Sequence, residues 1–169
     1  MLSPSKNRAF AAATLAVACI VSGSASADAP AGLSRSVVVQ AKPSEVWAAI
    51  GPFCAIGQWH PAIGSCAISG AGKPTRTLLT KDGQAKFVEL QVARDEAKHS
   101  YSYSFTSAPV PVTHYVSTFS VSPSGRGASV VTWKSQYTPN DGQTAAAAAA
   151  LTGIYESGLT AIQQRFAKN

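Results

Sequence analysis

The plainest pattern of apolar and polar positions lies between residues 100 and 106. Tyr101, Tyr103 and Phe105 alternate there with three serines, and alternation with a period of two is typical of a strand that buries one face. Trp133 and Tyr137 share a face in the same way further along the chain. The pattern therefore predicts strands whose inner faces carry aromatic rings.

Seven segments have strand-like composition, and short stretches rich in glycine, proline, aspartate and serine separate most of them. Connections of this length join neighbouring antiparallel strands, and Asp82-Gly83 is a strong signal for a tight hairpin turn. We therefore predict one antiparallel sheet of seven strands. The predicted strands span residues 33–40, 63–69, 75–81, 85–93, 98–106, 112–121 and 128–137.

Three other segments predict helices. Pro43 begins a short helix that ends at Ile50, because proline suits the first helical turn, and residues 53–58 form a second short helix. A long helix follows Thr-Pro-Asn-Asp at 138–141 and runs to about Phe166, since its apolar residues recur every three or four positions. These residues are Leu151, Ile154, Tyr155, Leu159, Ile162 and Phe166.

Gly158 lies on the apolar stripe of this long helix. A glycine inside a helix costs about 1 kcal/mol relative to alanine. Its presence therefore indicates either close approach by another part of the chain or space left for a ligand.

The first 27 residues have the pattern of a secretory signal peptide. Lys6 and Arg8 precede an apolar run from 9 to 21, and small residues end at Ala27. We expect cleavage before Asp28, a single domain over residues 28–169, and a periplasmic or secreted protein. The run is too short for a permanent membrane span, so none is expected after cleavage. Lipoprotein processing at Cys19 is the alternative.

The charge pattern argues against one class of partner. Without Lys6 and Arg8, the chain has twelve basic and eight acidic residues, and the basic residues are scattered singly. A surface that follows a phosphate backbone needs clustered lysine and arginine, so we expect no nucleic-acid partner. Three separated histidines and two cysteines also lack the paired spacing of a metal site, so no metal and no cofactor are expected.

Cys54 and Cys66 are the cysteines that remain after cleavage. Disulfides persist outside the cytoplasm, and a bridge between these two would close a short loop and stabilise the fold by roughly 3 kcal/mol. We expect this bridge. The alternative is a pair of buried free thiols.

Several short motifs along the chain resemble one superfamily. They are Val46-Trp47 with Ile50, Trp59-His60-Pro61, Glu89-Leu90, Tyr101-Ser102-Tyr103 and Val131-Thr132-Trp133. With the order of predicted elements, they resemble the START-related (SRPBCC) superfamily, which includes polyketide cyclase/dehydrase-like proteins and lipid-transfer domains. The resemblance covers residues 33–166. It implies an α+β helix-grip fold, in which a curved seven-stranded antiparallel sheet surrounds the C-terminal helix and two short helices follow the first strand.

The resemblance also implies a cavity between the sheet and the last helix, opening near the short helices. Aromatic side chains on the inner faces are the candidate ligand contacts, because rings bury area and offer polar groups; the alternative is that they only fill the core. The candidates are Trp59, His60, Tyr101, Tyr103, Phe105, Trp133, Tyr155 and Leu159.

His60 and Glu89 are the candidate catalytic residues. An imidazole at the predicted mouth could act as an acid or base near neutral pH, although a loop histidine bound to backbone is the structural alternative. An inward Glu89 would have a raised pKa in an apolar cavity. Alternation predicts instead that Glu89 lies outside, because Val88, Leu90 and Val92 form the more apolar face.

The sequence favours a protein that binds or carries a small hydrophobic or amphipathic molecule, rather than an enzyme. The absence of a complete catalytic constellation supports this interpretation. A cyclase or dehydratase that uses His60 and an inward Glu89 on a polyketide-like substrate is one alternative. An assembly or scaffold factor for a periplasmic protein partner is the other.

Overall fold

The computed structural model describes residues 29–167, and the predicted signal peptide at residues 1–27 lies outside this range. Seven strands and three helices follow one another along the described chain. They are β1 (Ala31–Val39), α1 (Pro43–Ile50), α2 (Ile56–Trp59), β2 (Ile63–Ser69), β3 (Thr75–Thr80), β4 (Lys86–Asp95), β5 (Ser100–Ser107), β6 (Val112–Pro123), β7 (Ser129–Pro139) and α3 (Thr144–Arg165).

The strands form one antiparallel sheet in the order β1-β7-β6-β5-β4-β3-β2. Consecutive strands from β2 to β7 are neighbours, as their short connections require. β1 pairs with β7, so the first strand lies beside the last and β2 forms the opposite edge. The predicted α+β helix-grip fold is confirmed.

Irregular pairing curves this sheet around α3. The register shifts between Ile63 and Ser65 in β2, at two places in β4, and between Thr113 and Val116 in β6. Such bulges bend a strand and increase its twist. The concave face therefore encloses the apolar side of α3, where Leu151, Tyr155 and Ile162 are buried.

Two helices begin later than the sequence predicts, and most strands differ from their predicted bounds by one or two residues. α2 begins at Ile56, three residues later than expected, because residues 53–55 form a turn. α3 begins at Thr144, because Gly142 has a φ of +69° and this left-handed conformation cannot be part of the helix. Within the described residues, no helix is long and apolar enough to cross a membrane.

Candidate ligand-binding cavity

A cavity of about 80 Å³ lies between the concave face of the sheet and α3. It reaches the surface beside the exposed Ala62, where Phe87, Phe105 and Ile154 are half-buried. Its wall is mostly apolar and aromatic. The lining residues are Ile56, His60, Ala62, Ile63, Leu78, Thr80, Phe87, Glu89, Tyr103, Phe105, Tyr115, Trp133, Leu151 and Ile154.

The size of the cavity limits what can enter it. Typical small-molecule sites measure roughly 300–1,000 Å³, and an engineered apolar cavity that binds benzene measures about 150 Å³. At roughly 30 Å³ per water, a volume of about 80 Å³ accommodates about two or three waters or a group of a few heavy atoms. A whole lipid or polyketide therefore cannot be enclosed unless the surrounding side chains move.

His60 lies in the wall of the cavity, and both of its ring nitrogens have protein partners. The Ala62 N–H approaches Nδ1 at 3.2 Å, and Nε2 lies 3.0 Å from the Ile154 carbonyl of α3. The imidazole is therefore neutral with its proton on Nε2, which donates to that carbonyl. Burial lowers the pKa of His60, and the positive charges of Arg76 and Lys81 act in the same direction.

This arrangement makes His60 an anchor between the α2–β2 connection and α3. It matches the structural alternative given above, a loop histidine bound to backbone. Because no ring nitrogen is left for a ligand, the geometry gives His60 a positioning role.

Gly158 explains how α3 comes so close to these rings. A Cβ atom at this position would lie 2.7 Å from Cδ2 of His60, 3.0 Å from Cζ3 of Trp133 and 3.1 Å from Cζ3 of Trp59. Real Cβ atoms rarely approach so closely, because the packing distance between carbon atoms is about 3.5–4.0 Å. Of the two interpretations of Gly158, the structure therefore supports close approach.

Glu89 points inward, so the expectation from alternation that it lies outside is wrong. Its side chain lines the cavity and the residue is only 4% exposed. Phe87 and Gln91 share this inner face of β4, and register shifts flank Glu89 and Gln91. Alternation gives the wrong face here because the inner face of β4 carries two polar residues, Glu89 and Gln91. A strand face with polar residues is normally expected to face solvent.

Arg76 in β3 compensates the buried charge of Glu89. Its Nε lies 2.5 Å from a carboxylate oxygen of Glu89, and Nη1 donates to the Phe53 carbonyl. The guanidinium also lies over two rings, 4.2 Å from the centroid of Phe53 and 4.9 Å from that of Tyr103. Among the described residues, Nη2 has no hydrogen-bond partner.

The pair places a charged group against an apolar cavity. Burial raises the pKa of the Glu89 carboxyl, and the Arg76 guanidinium offsets part of that rise. Burial is the largest single influence on the pKa of Arg76 and acts to lower it, but the Glu89 carboxylate together with Tyr101 and Tyr103 outweighs burial. The net change is upward, so the guanidinium stays charged. Arg76 is not among the predicted site residues, although its alternation with the inward Leu78 on β3 is a signal for it.

A chain of buried hydroxyl groups begins in the deep wall of the cavity, at Tyr103 and Tyr115, and continues behind it. The Trp133 indole N–H donates to the hydroxyls of Tyr103 and Ser117, each at 3.0 Å. The Tyr155 hydroxyl lies 2.9 Å from Ser117 Oγ and 2.7 Å from the Tyr115 hydroxyl. Tyr103 and Tyr115 are 3.4 Å apart at their hydroxyls. Burial raises the pKa of all three tyrosines, which keeps them protonated.

The structure brings four of the candidate ligand contacts to the cavity and places four elsewhere. His60, Tyr103, Phe105 and Trp133 line it, and Tyr115 and Phe87 line it without having been singled out. The other four pack in the surrounding core: Trp59 stacks on Phe119, Tyr101 packs beside Phe53, Tyr155 stacks behind Trp133 at 4.4 Å, and Leu159 is buried on α3.

The expected disulfide is present between Cys54 and Cys66, whose Cα atoms are 5.6 Å apart. It joins the α1–α2 connection to β2. Ile56 and Ile63, which flank the two bridged segments, both line the cavity. The bridge therefore holds one wall of the cavity in place.

Comparisons with solved structures agree with the fold. The protein XoxI from Bacillus cereus is 33% identical, with a TM-score of 0.76 over 80% of this chain and 95% of its own. Truncated norcoclaurine synthase from Thalictrum flavum is 15% identical, with a TM-score of 0.67 over 85% and 97%. The aromatase/cyclase Zhui from a Streptomyces species is 15% identical, with a TM-score of 0.64 over 81% and 93%. The two enzymes show the shared fold alone.

A family model supplies the remaining comparison. No curated protein matches this chain. The model described as "Polyketide cyclase / dehydrase and lipid transport" matches residues 30–167, which include every strand and helix described above. The cavity between sheet and helix lies inside the matched region. The chain therefore belongs to the polyketide cyclase/dehydrase and lipid transport family.

Proposed function

We propose that this protein binds a small hydrophobic or amphipathic molecule in the cavity between its sheet and α3, and that binding rather than turnover is its activity. The observation that carries the proposal is an apolar cavity with a carboxylate in its wall, at Glu89. Pockets that hold organic ligands combine apolar walls with a few placed polar groups in this way.

The volume of the cavity refines this proposal. The best small ligands gain at most about 1.5 kcal/mol per non-hydrogen atom, so a guest of a few heavy atoms binds weakly by itself. A larger amphipathic ligand binds better if one end enters the cavity and the rest covers Phe87 and Phe105, which are half-buried at the opening. We therefore propose partial rather than complete enclosure.

The second candidate function is a cyclase- or dehydratase-type enzyme, and Glu89 is the observation that favours it. A buried carboxyl with a raised pKa in a cavity is suited to proton transfer. Because both nitrogens of His60 are occupied, Glu89 rather than His60 would act as the acid or base. Norcoclaurine synthase and the aromatase/cyclase are enzymes with this fold, and the shared fold is all that they contribute to this alternative.

Export to the periplasm or the medium is part of the proposal. The apolar run at residues 9–21 supports it, and the disulfide between Cys54 and Cys66 suits an oxidising compartment.

Native mass spectrometry of protein purified from its own source tests the binding proposal. We expect an added mass in the wild type and a recoverable organic molecule after extraction. Ile154→Trp should abolish the added mass, because the larger ring fills the opening from α3. Thr160→Trp is the matched control, since Thr160 is exposed on the same helix and does not line the cavity.

Two results would contradict the proposal. Wild-type protein without added mass under several growth conditions would argue against a bound ligand, and co-purification of a stable protein partner would then favour the scaffold alternative. Equal added mass in both tryptophan variants would place the ligand outside the cavity.

A further inference from the structure

The hydroxyl chain behind the cavity wall leaves one proton, that of Tyr103, with only a long internal contact. The indole of Trp133 can only donate, so the oxygens of Tyr103 and Ser117 accept from it. The Ser117 hydroxyl donates to the Lys134 carbonyl at 3.0 Å, because a carbonyl cannot donate. The contact at 2.9 Å between Ser117 and Tyr155 must then use the Tyr155 proton.

The remaining directions follow from that step. Since Tyr155 donates to Ser117, the contact of 2.7 Å between Tyr115 and Tyr155 uses the Tyr115 proton. Only the Tyr103 proton is left, and the nearest hydroxyl oxygen that could accept it among the described residues is that of Tyr115, 3.4 Å away. A hydroxyl hydrogen bond normally measures about 2.7–2.8 Å, so this contact satisfies the proton poorly.

Reversing the chain gives the same outcome. If Ser117 donated to Tyr155, Tyr155 to Tyr115 and Tyr115 to Tyr103, the Tyr103 oxygen would accept twice and its proton would again lack a partner in the chain. In both orders Tyr103 holds the surplus donor. Tyr103 also lines the cavity and is 1% exposed, so a molecule inside the cavity, water or ligand, is what can accept that proton.

We propose that the Tyr103 hydroxyl donates to an oxygen atom of the bound molecule, so that the cavity selects oxygenated ligands over hydrocarbons of the same shape. Carbonyl, ether and alcohol oxygens are the acceptors this donor fits. The inference rests on the proposed binding function and adds the class of ligand. Burial raises the pKa of Tyr103 well above its ordinary value, which keeps the donor proton in place at physiological pH.

Acetone and isobutene are suitable probes, because they have the same shape and four heavy atoms each, and only acetone carries an oxygen. Both are compared at equal free concentration by the NMR shifts of the methyl groups of Leu78, Ile63 and Leu151, which line the cavity. We expect wild-type protein to bind acetone roughly fivefold more tightly than isobutene, the usual effect of one buried neutral hydrogen bond.

Tyr103→Phe should abolish this preference, so that acetone and isobutene bind with similar affinity. The variant keeps the hydrogen bond from Trp133 to Ser117, and near-ultraviolet circular dichroism checks its packing. Tyr155→Phe is the matched control: it removes a hydroxyl of the same chain that does not line the cavity, and it should keep the preference.

A second measurement does not depend on relative affinity. The carbonyl resonance of ¹³C-labelled acetone should move downfield on binding to wild type and to Tyr155→Phe, and should move much less with Tyr103→Phe. Equal binding of both probes by wild type, or an unchanged preference in Tyr103→Phe, would overturn the inference and leave the binding proposal standing. If neither probe shifts the cavity methyl groups even at the highest concentration that the protein tolerates, no group of four heavy atoms enters the cavity, and both proposals are wrong.

Discussion

The charges of Arg76 and Glu89 dominate the energetics of the site at the scale of single residues. Both residues are almost fully buried, and they are joined at 2.5 Å. Removing charges from water costs several kcal/mol per ion, so an intact buried pair gains little over apolar residues of the same size. Losing one partner is different, because it leaves a charge in the core without compensation.

We expect Arg76→Met and Glu89→Leu each to lower the free energy of unfolding by about 3–5 kcal/mol. The double variant should lose much less than the sum of the two, since it leaves no unpaired charge. Urea denaturation of the three variants and wild type gives the coupling energy. Glu156→Gln is the control, because its ion pair with Arg35 is exposed and such pairs contribute about 0–1 kcal/mol. Additive losses would contradict this account.

His60 should make stability depend on pH. Because its pKa in the folded protein is lowered below 6.5, folding favours the neutral ring. The stabilisation is complete above pH 6.5 and is lost as the pH falls through the folded pKa, with a slope of at most about 1.4 kcal/mol per pH unit.

Chemical denaturation between pH 7 and 5 measures this effect. We expect the free energy of unfolding of wild type to fall over this range, and that of His60→Gln to change less. His114→Asn removes an exposed imidazole, and asparagine tolerates the positive φ of 51° at that position. Its profile should follow wild type. Parallel profiles for wild type and His60→Gln would argue against a neutral buried imidazole.

At the scale of elements, replacing two glycines of α3 with alanine should change the free energy of unfolding in opposite directions. Gly158→Ala should lower the free energy of unfolding by about 1–2 kcal/mol, because overpacking against His60, Trp133 and Trp59 exceeds the gain in helix propensity. Gly153→Ala meets nothing within 4 Å and should raise the free energy of unfolding by up to about 1 kcal/mol. Thermal and urea unfolding of the two variants check this, and a stabilised Gly158→Ala would show that the rings have room to move.

The disulfide acts on a second element, the segment around α2. We expect Cys54→Ser combined with Cys66→Ser to lower the free energy of unfolding by roughly 3 kcal/mol. Hydrogen exchange should increase in α2 and β2 and remain unchanged in β6 and β7, which the bridge does not touch. Uniform exchange along the whole chain would show that the bridge contributes only to global stability.

At the scale of the whole molecule, local patterns predict the elements, and the family resemblance supplies their helix-grip arrangement. Each of these patterns describes how one element buries one face. Examples are the period of two at Tyr101, Tyr103 and Phe105, and the helical repeat around Leu151. Short connections then determined the order of most strands. These signals are local, which explains why a single sequence carried them.

The site could be predicted only in part, because it depends on which residues meet across different strands. Alternation places Glu89 outside, and the partner that permits its burial, Arg76, lies on another strand. The hydroxyl chain requires the register that places Tyr103 near Tyr115, Ser117 and Trp133. The aromatic side chains are therefore predictable from the sequence, but the hydrogen bonds between their hydroxyl and indole groups are not.

The position of Cys66 in β2 has one more consequence. Within the described residues, β2 is an outer strand of the sheet, and one row of its backbone N–H and C=O groups has no neighbouring strand there to bind. A free edge of this kind is a template for self-association, and here the bridge restrains it by tying the strand to the loop before α2. Cleaving the bridge should therefore produce turbidity that grows with protein concentration before any loss of secondary structure is detected.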